Sequence, residues 1–251
     1  MSEEIKGPGI LYVEARIARP DLMDEDTYMN WYDNDHIAEI VATSGVDSAF
    51  RYIRRGVDWP YLAMYEMRDV AFTQGDEFRR IRVHSDLLPG SKLIYDLADN
   101  NVRYYRLLQV YDPTKKGPGH TKTLISAQIE LKDGYPVEDF DAWYRKEHLD
   151  QLSKAPGYLR TTRFKLVFSR SNAQSRALKG LPVTSNEPVP NPPTWLALHE
   201  FATEDVDLGQ LKDLTDTAWT RKIEQNSERR DYPIYKIAKT HGKGEWFHAF
   251  P

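Results

Sequence analysis

The chain of 251 residues contains no cysteine. Disulfides, cysteine-ligated zinc and thiol nucleophiles are therefore excluded. No apolar run approaches the roughly 18 residues that a membrane-spanning helix needs, so no membrane partner is expected. Basic charge is not in excess: 34 Lys and Arg stand against 38 Asp and Glu, a formal net charge of −4 at pH 7. Nucleic acids and anionic membranes want a clustered basic surface, so neither is an expected partner. The opening MSEEIKGPG is acidic and has no apolar stretch. No signal peptide is expected from it, and a cytoplasmic location follows. There is no GxGxxG after a strand, no P-loop and no Gly-x-Ser-x-Gly elbow, which removes the usual nucleotide-binding and hydrolase signatures. No His-x-x-x-His or acidic cluster has metal-ligand spacing, and the expected cofactor set is none.

What the chain has in quantity is aromatic side chains, 12% of residues with 15 tyrosines. A phenol combines an apolar face with a polar tip, which suits a pocket for a ring-bearing ligand and suits an ordinary core as well. The aromatics also carry a repeat. Asn30-Trp31-Tyr32-Asp33-Asn34-Asp35-His36-Ile37 matches Ala142-Trp143-Tyr144-Arg145-Lys146-Glu147-His148-Leu149. One offset of 112 joins Trp31 to Trp143, Tyr32 to Tyr144, His36 to His148, Gly45 to Gly157 and Arg51 to Arg163. Identities of rare residue types at one fixed offset indicate an internal duplication.

The flanking patterns agree. Residues 10–17 alternate as a strand, and 24–41 have helical apolar spacing behind acidic first-turn residues. Strands are predicted at 49–55, 61–67 and 102–111, with a second helix at 70–83. The other half reads as strand 123–131, helix 137–153, strands 158–168 and 195–201, helix 207–225 and strand 232–239. Tyr65-Glu66 corresponds to His199-Glu200 at an offset of 134, so 22 extra positions fall near residues 169–193. That Ser-, Asn- and Pro-containing segment reads as a long loop, either a lid or disordered. The predicted organisation is a first unit over 1–112, a linker over 113–121, a second unit over 122–240 containing the 169–193 insertion, and an aromatic tail over 241–251 expected to dock. Each unit has the order βαββαβ, a ferredoxin-like split βαβ. The predicted fold class is α+β, with two tandem ferredoxin-like units pairing their open sheet faces into one α+β barrel, which removes free edges.

The duplicated units and their Trp-Tyr-x-x-x-His helices resemble the EthD-like group of the dimeric α+β barrel superfamily. The likeness covers nearly the whole chain. It departs where relatives often carry a proline two residues after the histidine; Ala38 and Asp150 stand there. The resemblance implies a pocket between sheet and helices in each unit. It also implies cofactor-free chemistry on phenolic, polyketide- or flavonoid-like molecules: ring closure or isomerisation, decarboxylation or dehydration, as in fungal secondary metabolism. Wider relatives bind haem or oxidise quinols, so the alternative is a non-catalytic small-molecule or haem-binding protein. A homodimer is compatible with either.

Tyr32 and His36 are four residues apart and share a helix face, with Tyr28 one turn earlier. Phe140, Tyr144 and His148 repeat that stripe. An imidazole suits general acid/base work at neutral pH, and a neighbouring phenol can donate to a developing oxyanion. His36 is the expected base and Tyr32 the orienting donor, with His148 as the second catalytic candidate. Tyr28, Arg51, Tyr65, Tyr144 and His199 are the expected substrate contacts. Trp31 and Trp143 are expected in the core. The expected partner is a small aromatic substrate.

Overall fold

The computed structural model describes residues 4–183 and 188–247. The apolar alternation forms strands where it is predicted. The first βαββαβ run is β1 (Gly9–Ile17), α1 (Glu25–Trp31), a π turn (Tyr32–His36), α2 (Ile37–Val41), β2 (Ser48–Ile53), β3 (Tyr61–Met67), α3 (Asp76–Arg80) and β4 (Ala98–Tyr111). Asp24 starts α1 by accepting from the Thr27 N–H at 2.8 Å, and Glu25 and Asp26 complement the helix dipole. β1 pairs antiparallel with β3 and β4, and β3 with β2. The order β4-β1-β3-β2 is the predicted ferredoxin-like arrangement.

The second run is β5 (Thr123–Leu131), α4 (Val137–Trp143), a π turn (Tyr144–His148), α5 (Leu149–Leu152), β6 (Tyr158–Arg170), α6 (Asn172–Leu178), β7 (Trp195–Phe201), α7 (Leu208–Thr215), α8 (Ala218–Gln225), β8 (Ser227–Asp231) and β9 (Ile234–Gly242). β7 pairs with β5 and β6, and β5 also pairs with β8 and β9. The full strand order is β7-β6-β4-β1-β3-β2-β9-β5-β8 with β7 also on β5. The order returns on itself, which gives the expected α+β barrel fold class.

Three local expectations are corrected. The 70–83 helix is only a 3₁₀ turn, Val70–Gln74, followed by the single turn of α3. Gly75 separates them in extended conformation. The 207–225 helix is two helices, because Thr217 is extended and begins a new one by accepting from the Thr220 N–H at 3.0 Å. The 169–193 segment is not a plain loop. It continues β6 and then forms α6, whose Ser171 N–H donates to Gln174 Oε1 at 2.6 Å, one arm of a capping box.

The chain divides into two compact units. One is Met1–Leu107 with Leu166–Pro192 and Ala238–Trp246; the other is Leu108–Lys165 with Pro193–Ile237 and Phe247–Pro251. The 169–193 segment therefore groups, up to Pro192, with the first unit, although its sequence position lies within the 122–240 stretch expected as the second. Polar contacts explain this: Asn172 Nδ2 donates to Tyr95 O at 3.0 Å, and Arg176 pairs with Asp96 at 2.5 Å. In the aromatic tail, Trp246 and Phe247 are buried. Trp246 meets the Phe50 ring edge-on at 5.1 Å, and Phe247 packs on Phe164. His248 and Phe250 lie outside the described residues.

The repeated glycines have separate structural reasons. A Cβ on Gly45 would sit 2.2 Å from the Phe72 ring, whereas Gly157 has φ +76° and Thr203 Cγ2 where a Cβ would meet it at 2.6 Å.

Candidate functional site

Both helices that carry Trp-Tyr-x-x-x-His are interrupted at the same place. The Ile37 N–H donates to Tyr32 O, and the Leu149 N–H to Tyr144 O. These i+5 to i bonds define a π turn, a rare element enriched at functional sites. In an α-helix, residues five apart point about 140° away from each other. The π turn removes that divergence. The His36 imidazole stacks on the Trp31 ring at 4.9 Å, and His148 on Trp143 at 4.1 Å. Each tryptophan, expected as core, is thus also the platform that orients its histidine, and each borders its unit's cavity.

In the first unit, Tyr32 stacks on His36 at 5.6 Å and on Tyr28 at 5.3 Å. The Tyr65 hydroxyl donates to Tyr32 Oη at 3.2 Å. Burial pushes the Tyr32 phenol up to about 12, against the lowering effect of the Tyr65 bond. Burial also drives the His36 imidazole down to about 4; Asp35 opposes this and Lys179 reinforces it. His36 is therefore neutral at pH 7, well below the near-neutral pKa expected for a general base. Trp31, Tyr32, His36 and Tyr65 line a small open cavity of about 80 Å³.

Tyr28 and Arg51 do not line that cavity. Tyr28 is fully buried and stacked. Arg51 is bound bidentately to Asp33 at 2.8 and 2.9 Å. Its guanidinium is committed to the π turn and is not open to substrate, a correction to its expected role. Arg163, its counterpart, pairs with Asp141 at 2.8 Å and lies 4.1 Å over the Tyr144 ring. The repeated arginines are structural.

The second unit brings Trp143, Tyr144, His148 and His199 around a larger cavity of about 360 Å³. Small-molecule sites span roughly 300–1,000 Å³. The two imidazoles face each other edge to face, 6.4 Å between centroids. His148 Nδ1 is buried and has no hydrogen-bond partner among the described residues. Burial lowers its pKa far below 6.5, and His199 and Arg163 lower it further. His199 Nδ1 is 2.8 Å from Thr161 Oγ1, which is 2.7 Å from the Tyr158 hydroxyl. Burial brings His199 down to about 3, with Arg163 adding to the effect. Burial raises the Tyr144 phenol. At pH 7 this site presents neutral imidazoles and an intact phenol in a mostly apolar wall.

Sequence reasoning missed several cavity residues. Tyr95, Arg170 and Lys179 border the first cavity, and Lys212, Arg230 and Tyr232 the second. Lys179 comes from the insertion, whose docking no local pattern announces. Among the described residues, no group of three or more His, Asp or Glu side chains is placed to hold a metal ion.

No family model matches the chain. It is 28% identical over 200 residues to core atranone cluster protein 1 of the fungus Stachybotrys chlorohalonatus, covering 77% of this chain and 82% of that protein. A solved candidate monooxygenase from Lactobacillus acidophilus superposes with a TM-score of 0.56 at 12% identity, covering 96% of this chain and 98% of that one. A solved anthrone oxidase-like protein superposes with a TM-score of 0.53 at 12% identity, covering 97% and 96%. At these identities the likeness is one of fold. The chain shares the α+β barrel fold of these monooxygenase-like proteins.

Proposed function

We propose that this chain is a cofactor-independent acid/base enzyme acting on a phenolic, polyketide-like small molecule held in the second unit's cavity. The observation that carries this reading is His148: a neutral imidazole stacked on Trp143 by the π turn, bordering an apolar cavity beside Tyr144 and His199. The similarity to a protein of a fungal metabolite cluster and the shared fold with an anthrone oxidase-like protein support an aromatic substrate. The paired π turns support a tandem EthD-like origin.

The neutral imidazole of His148 takes the proton from a phenol O–H or an activated C–H. Tyr144, whose raised pKa keeps it protonated, donates to the oxygen on which charge develops. A base of low pKa is weak by itself. The substrate oxyanion formed beside it supplies the opposite charge that stabilises the imidazolium, an attraction strengthened by the apolar surroundings. When Tyr158 donates to Thr161 and Thr161 to His199 Nδ1, the His199 proton resides on Nε2. It is then a second neutral donor for the substrate. Return of the proton to another atom gives isomerisation or ring closure; departure of CO₂ or water gives a lyase reaction.

The test is product formation by mass spectrometry with chalcones, aromatic polyketide acids and hydrated anthrones. Wild type runs beside His148→Gln, His199→Gln and His36→Gln. His148→Gln is expected to remove product while His36→Gln retains it. Loss of product in His36→Gln alone overturns the assignment to the second unit. Absence of product from folded wild type with every compound overturns the enzyme reading.

A further inference from the structure

We propose that the first unit's cavity is a separate binding site for a one- or two-ring aromatic carboxylate, anchored by Lys179. Two cations border this cavity, Lys179 and Arg170, and both are half-buried. Lys179 Nζ donates to the carbonyls of Arg79 and Ile81 at 2.6 and 2.8 Å. An ammonium has three donors, so one N–H remains. Arg170 donates to the Tyr104 hydroxyl and to Ser175 Oγ at 3.0 Å. Neither cation has a carboxylate within ion-pair distance among the described residues. Partial loss of water favours an anionic partner for each. These two also sit close enough to repel: burial and then Arg170 lower the Lys179 pKa, against a smaller raising effect of Glu39, which lies beyond ion-pair distance.

The rest of the wall supplies the other half of a ligand. Trp31, Tyr32, Tyr65, Tyr95 and Phe78 give flat apolar surface next to the charge. A ring packs on such faces while its carboxylate meets the ammonium in a charge-assisted hydrogen bond. The cavity is the smaller of the two, about 80 against about 360 Å³, which favours a small ring system. Its cation, Lys179, caps the C-terminal end of α6, within the 169–193 segment near which the extra positions fall. The insertion thus equips the first unit for an anion.

The experiment titrates the full chain with 2-naphthoate and with neutral 2-naphthamide by calorimetry. The imidazole NMR signals of His36, His148 and His199 are followed in parallel. Naphthoate is expected to bind at least about tenfold more tightly than the amide, the scale of a hydrogen bond to a charged group. Binding is expected to move the His36 signal. Lys179→Met should remove that preference, and Lys179→Arg should restore part of it. Equal affinity for acid and amide, or an unchanged preference in Lys179→Met, overturns the proposal. So does a response confined to His148 and His199, or no binding at millimolar ligand to folded wild type. Ligand binding at His36 and turnover at His148 are read separately, so the failure of one leaves the other intact.

Discussion

Mild acid should weaken the fold through its buried histidines. His36 and His199 have folded pKa values of about 4 and about 3, below the ordinary 6.5, chiefly through burial. At pH 7.5 both folded and unfolded chains are essentially neutral at these rings, and no penalty exists. As pH falls through 6.5 only the unfolded chain takes up the proton, so stability declines until the folded pKa is reached. Between pH 7.5 and 5.5 each such histidine costs about 1.4 kcal/mol, so the two together cost roughly 3 kcal/mol. His148 shifts in the same direction and adds a similar share. Most carboxylates stay ionised across this window, so the imidazoles dominate the change. The assay is urea unfolding at pH 7.5 and 5.5 for wild type, His36→Gln and His199→Gln. Each variant should lose about 1.4 kcal/mol of the pH-dependent difference, whatever its absolute stability. Equal pH dependence in wild type and both variants refutes the reasoning. An NMR titration giving His36 a pKa near 6.5 does so as well.

Further outcomes follow from the π turns and their supports. Deleting Lys146, an exposed residue of the second π turn, should restore α-helical phasing and separate Trp143 from His148; circular dichroism should stay near wild type while product formation is lost. Arg51→Met leaves the half-buried Asp33 with only Lys239 and His241 and should destabilise by about 1.5–3 kcal/mol, read by urea unfolding; a loss below 1 kcal/mol contradicts the structural role given to this pair. Gly157→Ala places a side chain at φ +76° and against Thr203, and should cost at least about 1–2 kcal/mol. Asp24→Ala removes the cap of α1 and should cost about 1 kcal/mol, with the thermal midpoint as readout.

Much of the fold is legible because period and turn chemistry are local. The strands at 123–131 and 195–201 match β5 and β7 residue for residue. β8 escaped because its segment, Ser227–Asp231, is mostly charged and exposed, and its pairing with β5 alone makes it a strand. The π turns escaped because Trp-Tyr-x-x-x-His fits α and π phasing equally well; only the i+5 hydrogen bond distinguishes them. The candidate residues Tyr32, His36, Tyr144, His148, Tyr65 and His199 line cavities, since a shared helix or strand face can be read from spacing. Arg51 was misread because its partner Asp33 sits on another element, and a tertiary ion pair leaves no periodic trace. The histidine pKa values lay beyond the sequence for the same reason: burial is a property of the packed chain.

Asp33, inside the first π turn, is where distant parts of the chain meet. Besides Arg51 it receives Lys239 at 3.3 Å and His241 at 3.2 Å, both from β9. Those partners are synthesised some two hundred residues after the turn they secure. Contacts of such sequence separation form late, after the loop entropy has been overcome. During translation Asp33 therefore waits, paired with Arg51 but without these two cations, until β9 has left the ribosome. A proteolytic cut or frameshift ahead of Lys239 would be felt not only where the lesion lies but also at the opening helix, beside His36.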